Sequence, residues 1–129
     1  MLKTGGMGND DIYRLFPNLK ERARSQGSRL SGGEQQMLAI ARVLRTGADF
    51  LILDEPTEGL APVIIAQIGM VLQAVKERGL TVLLVEQNFH FARGVADRHY
   101  VMESGKIVDL ITRDELAEKM PRLEHYLGI

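Results

Sequence analysis

The chain has 129 residues, 45% of them apolar and 26% charged, enough for a domain with a real core and ordinary for a soluble protein. A net charge of -1 gives no basic field for nucleic acid, and the absence of cysteine excludes disulfides, thiolate metal sites and a cysteine nucleophile. No apolar run approaches the roughly 20 residues that span a bilayer, and residues 1–10 hold no apolar core of a secretory signal.

Residues 1–10 read as a flexible lead-in. Over residues 11–25, Ile12, Leu15, Phe16 and Leu19 recur at helical spacing, interrupted by Pro17. Residues 26–29 read as a loop. Ser31-Gly32-Gly33-Glu34 then has the Ser-x-x-Glu form of a capping box. The helix behind it runs to about Leu44, with Met37, Leu38, Ile40, Ala41 and Leu44 on the buried side. Residues 50–53, Phe-Leu-Ile-Leu, are apolar at every position, which predicts a parallel strand covered on both faces. Pro62 takes the first turn of a further helix. That helix reaches about Arg78 with a stripe of Ile64, Ile65, Ile68, Val71, Leu72 and Val75, and Gly79 stops it. Residues 80–85 form a second apolar strand, and strand–helix–strand in this order makes a right-handed parallel unit. A short helix over residues 88–97 follows, then strands over 98–102 and 106–111 turning through Ser104-Gly105. A second capping box, Thr112-Arg113-Asp114-Glu115, starts a terminal helix that Pro121 breaks or restarts.

Three stretches carry chemistry. In Ser31-Gly32-Gly33, two glycines let backbone N–H groups approach a ligand, the helix behind adds the positive end of its dipole, and Ser31 adds a hydroxyl. A plain N-cap explains Ser-Gly-Gly alone; the full Leu30-Ser31-Gly32-Gly33-Glu34-Gln35 string is far rarer and reads as a phosphate site. Asp54 and Glu55 end the first strand, where parallel sheets place ligands. Asp54 is suited to holding Mg²⁺ and Glu55 to polarising an attacking water. Val85-Glu86-Gln87-Asn88 ends the second strand, so Gln87 lies beside Asp54-Glu55 if the two strands are neighbours; a phosphate or water contact and a bland loop residue are equal readings. Lys3-Thr4 echoes the end of a phosphate loop, but Leu2 stands where glycine is needed. The three histidines lack metal-ligand spacing, and the six methionines read as core fillers.

These strings resemble the ATP-binding subunits of ABC transporters from about Asp11 onward. Within that family the chain is most similar to the branched-chain amino acid importers. The strings Leu15-Phe16-Pro17, Leu19-Lys20-Glu21-Arg22, residues 54–62, Val85-Glu86-Gln87-Asn88 and Ala96-Asp97-Arg98 carry the likeness. The resemblance implies a partial P-loop NTPase-like α/β fold: parallel strands with flanking helices, the end of the helical subdomain, and a C-terminal hairpin and helix. Residues 11–46 would hold part of the helical subdomain and 47–129 the C-terminal part of the ATPase core.

The resemblance also implies roles. Ser31, Gly32, Gly33 and Glu34 would bind the γ-phosphate of ATP held by a second, head-to-tail subunit. Asp54 would serve Mg²⁺, Glu55 would be the catalytic base with Gln87 beside it, and Glu58, Gly59, Leu60 and Ala61 would cross the dimer interface. Residues 11–29 would dock on a transmembrane permease, placing the protein on the inner face of the plasma membrane. Most of the superfamily has histidine at the position of Gln87. The phosphate-binding loop would lie upstream of Met1, so the isolated chain is expected to be inactive and, with strand edges uncovered, to self-associate. Rival readings are a non-transport ABC-type ATPase, a module donating its signature turn in trans, and an importer of urea or short amides.

Overall fold

A computed structural model describes residues 6–21, 23–24 and 31–129. Lys3-Thr4, Arg22, the expected loop over 26–29 and Leu30 of the glycine-rich string lie outside the described residues. The chain forms two compact units, residues 1–95 and 96–129.

The first unit opens with α1 (Asn9–Leu15) and α2 (Pro17–Glu21). The helical stretch therefore begins two residues earlier than the periodicity alone indicates, with Asp10 and Asp11 in its first turn, where acids complement the helix dipole. Phe16 separates the two helices at φ -128° and ψ 71°, because the ring of Pro17 disfavours helical backbone in the residue before it. The break drives Phe16 into the core, where it is 1% exposed. Helix α3 (Gly32–Arg45) buries Gly33, Met37, Ile40, Ala41 and Leu44. Helix α4 (Pro62–Glu77) has Pro62 in its first turn and buries Ile68, Val71, Leu72 and Val75. The left-handed Gly79 follows it at φ 88°.

Strands β1 (Phe50–Asp54) and β2 (Thr81–Val85) flank α4 in sequence and pair in parallel, Phe50 with Thr81 through Asp54 with Val85. The expectation that both faces of these strands are covered is corrected. Leu51 and Leu53 are buried and Val82 and Leu84 pack on the same core. The opposite face carries Ile52 at 61% exposure, with Phe50, Leu83 and Val85 about half exposed. An all-apolar run says that both faces are apolar; it does not say that the described residues supply a cover for each. Helix α5 (Phe89–Val95) completes this unit, shorter than the sequence predicted at both ends.

The second unit is an antiparallel hairpin, β3 (Arg98–Glu103) and β4 (Lys106–Thr112), with α6 (Leu116–Leu127). Ser104 and Gly105 form the turn at φ 50° and 78°. Two left-handed residues match the twist of the flanking strands. Ile111 and Leu123 are buried, and Arg122 donates to Asp109 at 2.9 Å, tying α6 to β4. The arginine bond holds the Asp109 carboxyl below its ordinary value.

The capping box expected at residues 112–115 takes another form. Thr112 still belongs to β4; its N–H donates to the Glu115 carboxylate and its carbonyl accepts the Glu115 N–H, closing a turn. The helix starts one residue after that turn, and it runs through Pro121 without a break.

Candidate functional site

Ser31 has the extended backbone of an N-cap at φ -61° and ψ 163°. Its hydroxyl accepts the Glu34 N–H at 3.2 Å, and the Glu34 carboxylate accepts the Ser31 N–H at 3.3 Å, so the capping box is complete. The two glycines in this turn differ. Gly32 is exposed, with the Leu60 side chain beside it. Gly33 is buried against α4: a Cβ there would stand 2.5 Å from Ile64 Cγ2. The sequence assigns both glycines to ligand access, whereas Gly33 is also what lets α3 approach α4. The start of α3 thus lies on the segment that leads from Leu60 into α4.

The second group forms at the carboxyl end of β1. Asp54 is the last strand residue and is exposed. Glu55 extends the ladder by one bond, its N–H donating to the Val85 carbonyl at 2.7 Å. It does so with left-handed backbone, φ 47°, a conformation uncommon outside glycine. This turns the chain sharply out of the sheet. Two further turns follow, Glu58 N–H to Glu55 carbonyl and Leu60 N–H to Thr57 carbonyl, each at 3.2 Å, with Gly59 at φ 71°. The turn brings Glu58 back over Glu55. The neighbouring Glu58 carboxyl, by side-chain hydrogen bonding and by its charge, raises the Glu55 carboxyl above its ordinary value, and the charges of Asp54 and Glu86 push the same way.

Because β1 and β2 are neighbours, Gln87 emerges at the same sheet end, exposed and two residues past the Val85 that pairs with Asp54. The residues on each side of it are anchored. Glu86 accepts from the buried Thr57 hydroxyl at 2.9 Å and from the Asn88 N–H at 3.2 Å. Asn88 caps α5 by accepting the Phe91 N–H at 3.1 Å. Thr57 and Glu86 were visible only as parts of longer strings. The signal for them is a threonine and an acid just past two neighbouring strand ends, readable only once the pairing is known.

The structure therefore gathers Asp54, Glu55, Glu58 and Gln87 at one sheet end and sets Gly32 beside Leu60 and Gly33 against Ile64, at the start of the helix that Ser31 and Glu34 cap, with residues 55–61 leading from one group to the other. Among the described residues no hydrogen bond or ion pair joins Ser31 to Asp54, Glu55 or Gln87.

A family model described as ABC transporter matches residues 8–58. The high-affinity branched-chain amino acid transport ATP-binding protein BraG of Pseudomonas aeruginosa is 47% identical over 119 residues, covering 92% of this chain and 51% of that protein. The chain belongs to the ABC transporter family. Two other relatives of this ABC chain show the breadth of the group. The probable branched-chain amino acid transport ATP-binding protein LivF of Archaeoglobus fulgidus is 40% identical, over 84% of this chain and 47% of that protein. The lipopolysaccharide export system ATP-binding protein LptB of Haemophilus influenzae is 32% identical, over 92% and 49%. Among solved structures, a nucleotide-free ATP-binding cassette from an ABC transporter matches with TM-score 0.80 at 24% identity, covering 93% of this chain and 48% of that one. The likeness confirms the α/β cassette fold expected from the strings above. A second cassette, in its ADP conformation, matches with TM-score 0.70 at 25% identity, over 93% and 50%. The chain spans about half the length of the curated relatives it matches.

Proposed function

We propose that this chain is part of the ATP-binding subunit of an importer that energises uptake of branched-chain amino acids by hydrolysing ATP. The observation that carries the reading is the sheet end where the Asp54-Glu55 turn, bonded to β2, faces the same way as Gln87. Similarity to BraG and LivF supports the cargo; the lipopolysaccharide export relative shares the family but not the cargo.

In this reading Ser31, Gly32, Gly33 and Glu34 present the start of α3 to the γ-phosphate of ATP held by a second subunit. Helix-terminal N–H groups there stabilise the negative charge. Asp54, an exposed hard-oxygen donor at the strand end, fits Mg²⁺, which keeps most of its water and binds through one or two carboxylates together with phosphates. When bound, the ion neutralises charge on the phosphates. Glu55 accepts a proton from the attacking water. A carboxyl pushed above its ordinary value sits nearer the working pH, which suits a general base. Gln87 orients that water or a phosphate oxygen through its amide. Residues 58–61 cross to the second subunit, and residues 11–29 dock on the permease that holds the assembly at the membrane. No helix among the described residues is long and apolar enough to cross a membrane itself.

A hybrid tests this: the 119 residues that match BraG replace the aligned stretch of that protein, and Mg²⁺-dependent ATP turnover is measured. Turnover that Glu55→Gln abolishes supports the reading. A folded hybrid without turnover refutes it. The 129-residue chain alone is expected to show none.

A further inference from the structure

Thr57 is the buried polar side chain among the described residues, only 4% exposed. A hydroxyl withdrawn from water is costly unless it is bonded. Its bond goes to Glu86, 29 residues along the chain and just past the end of the other strand. Glu86 uses its second oxygen for the Asn88 N–H. One carboxylate therefore bridges the turn that leaves β1 and the turn that leaves β2.

The residues held by this bridge bracket the two side chains assigned to hydrolysis. Glu55 stands two positions before Thr57, with its own N–H on the Val85 carbonyl next to Glu86. Gln87 stands between Glu86 and Asn88, and Asn88 is fixed in turn as the cap of α5. Gln87 is exposed and its flanks are half-buried. Its backbone is thus located on both sides while its amide faces solvent. Hydrogen bonds to a charged acceptor are stronger than neutral ones and hold their geometry better.

We propose that Glu86 is a positioning residue: clamped between Thr57 and Asn88, it sets the Glu55 turn and the Gln87 turn at a fixed separation before any ligand binds. The positioning of catalysis rests on the reading of Glu55 and Gln87 given above; the clamp itself does not.

The first arm of the test uses the ¹⁵N-labelled 129-residue chain. Thr57→Val keeps the shape and removes the donor. It should shift the amide signals of Gln87 and Asn88 and speed hydrogen exchange at Asn88 about tenfold, as loss of one support for that bond requires. Thr57→Ser should leave both as in the parent chain. Unmoved Gln87 and Asn88 signals in Thr57→Val overturn the clamp. If that variant does not fold, Glu86→Gln, which keeps size and removes the charge, is read in the same way. The second arm uses the BraG hybrid. Thr57→Val should lower kcat about tenfold, leave KM for ATP within about twofold, and be rescued by Thr57→Ser. An unchanged kcat overturns the positioning role. A hybrid inactive before any substitution refutes the functional reading instead, and the clamp is then decided by the amide signals.

Discussion

Gly33→Ala tests the approach of α3 to α4. The added Cβ would lie 2.5 Å from Ile64 Cγ2, 3.1 Å from Cγ1 and 3.3 Å from Cβ. All three atoms sit at or next to the branch point of a β-branched side chain that is stiff about χ1, so no terminal torsion relieves the clash. Overpacking of this kind costs about 1–3 kcal/mol. Against it stands the helix preference of alanine over glycine, up to about 1 kcal/mol in a helix interior and less in the first turn. The net expectation is a loss of about 1–2 kcal/mol. In urea, with a slope near 1–2 kcal/mol per molar for a unit this size, the midpoint should fall by roughly 0.5–2 M. Ile64→Ala removes the obstructing atoms and, at a half-buried position, should cost about 2 kcal/mol by itself. The double variant should then be more stable than the sum of the two losses by at least about 1 kcal/mol. A neutral or stabilising Gly33→Ala, or strict additivity with Ile64→Ala, would show that Ile64 does not obstruct the added methyl.

Three further outcomes are expected. The Glu55 carboxyl, followed by ¹³C NMR, should titrate above 4.5, and Glu58→Gln should bring it down. Since its folded value is raised, this group's contribution is full below the unfolded value and is lost as pH rises through the folded one; a midpoint at or below 4.5 contradicts the influence of Glu58. Asp109 runs the other way. Its folded value lies below 3.8 chiefly because of the Arg122 bond, so its contribution is present above the unfolded value and lost as pH falls through the folded one. Arg122→Gln should flatten that acid dependence, and an unchanged acid limb would show that the bond is not responsible. Finally, Ile52→Lys places a charge in the apolar sheet face and should move the chain toward monomer in sedimentation equilibrium; a monomeric parent chain would remove the premise.

The helices were legible because their signals are local. Ser31 with Glu34, Pro62 and Gly79 each act within a turn of themselves, so α3 and α4 stand close to where their caps placed them. The hairpin turn at Ser104-Gly105 was legible for the same reason. What sequence left open depends on partners distant in the chain. Whether Gln87 shares an end with Asp54-Glu55 depended on β1 pairing with β2, across 26 intervening residues. The packing role of Gly33 needed the position of Ile64, and the bridge from Thr57 to Glu86 needed both strand ends at once. At residues 112–115 the pattern misled, since a Thr-x-x-Glu spacing serves a strand-to-helix turn as well as a helix start.

The backbone of Glu55 bears on how variants of this chain are interpreted. At φ 47° an L-residue with a Cβ is strained by about 1 kcal/mol or more relative to glycine. Selection for thermal stability alone would therefore favour glycine at this position, and a library screened only for folding would discard the acid. If Glu55 is the base proposed above, Glu55→Gly would look like an improvement in a melting assay while removing the acid, whereas Glu55→Gln would change the chemistry and leave the strain in place. On that proposal, stability and activity make opposite demands on one residue.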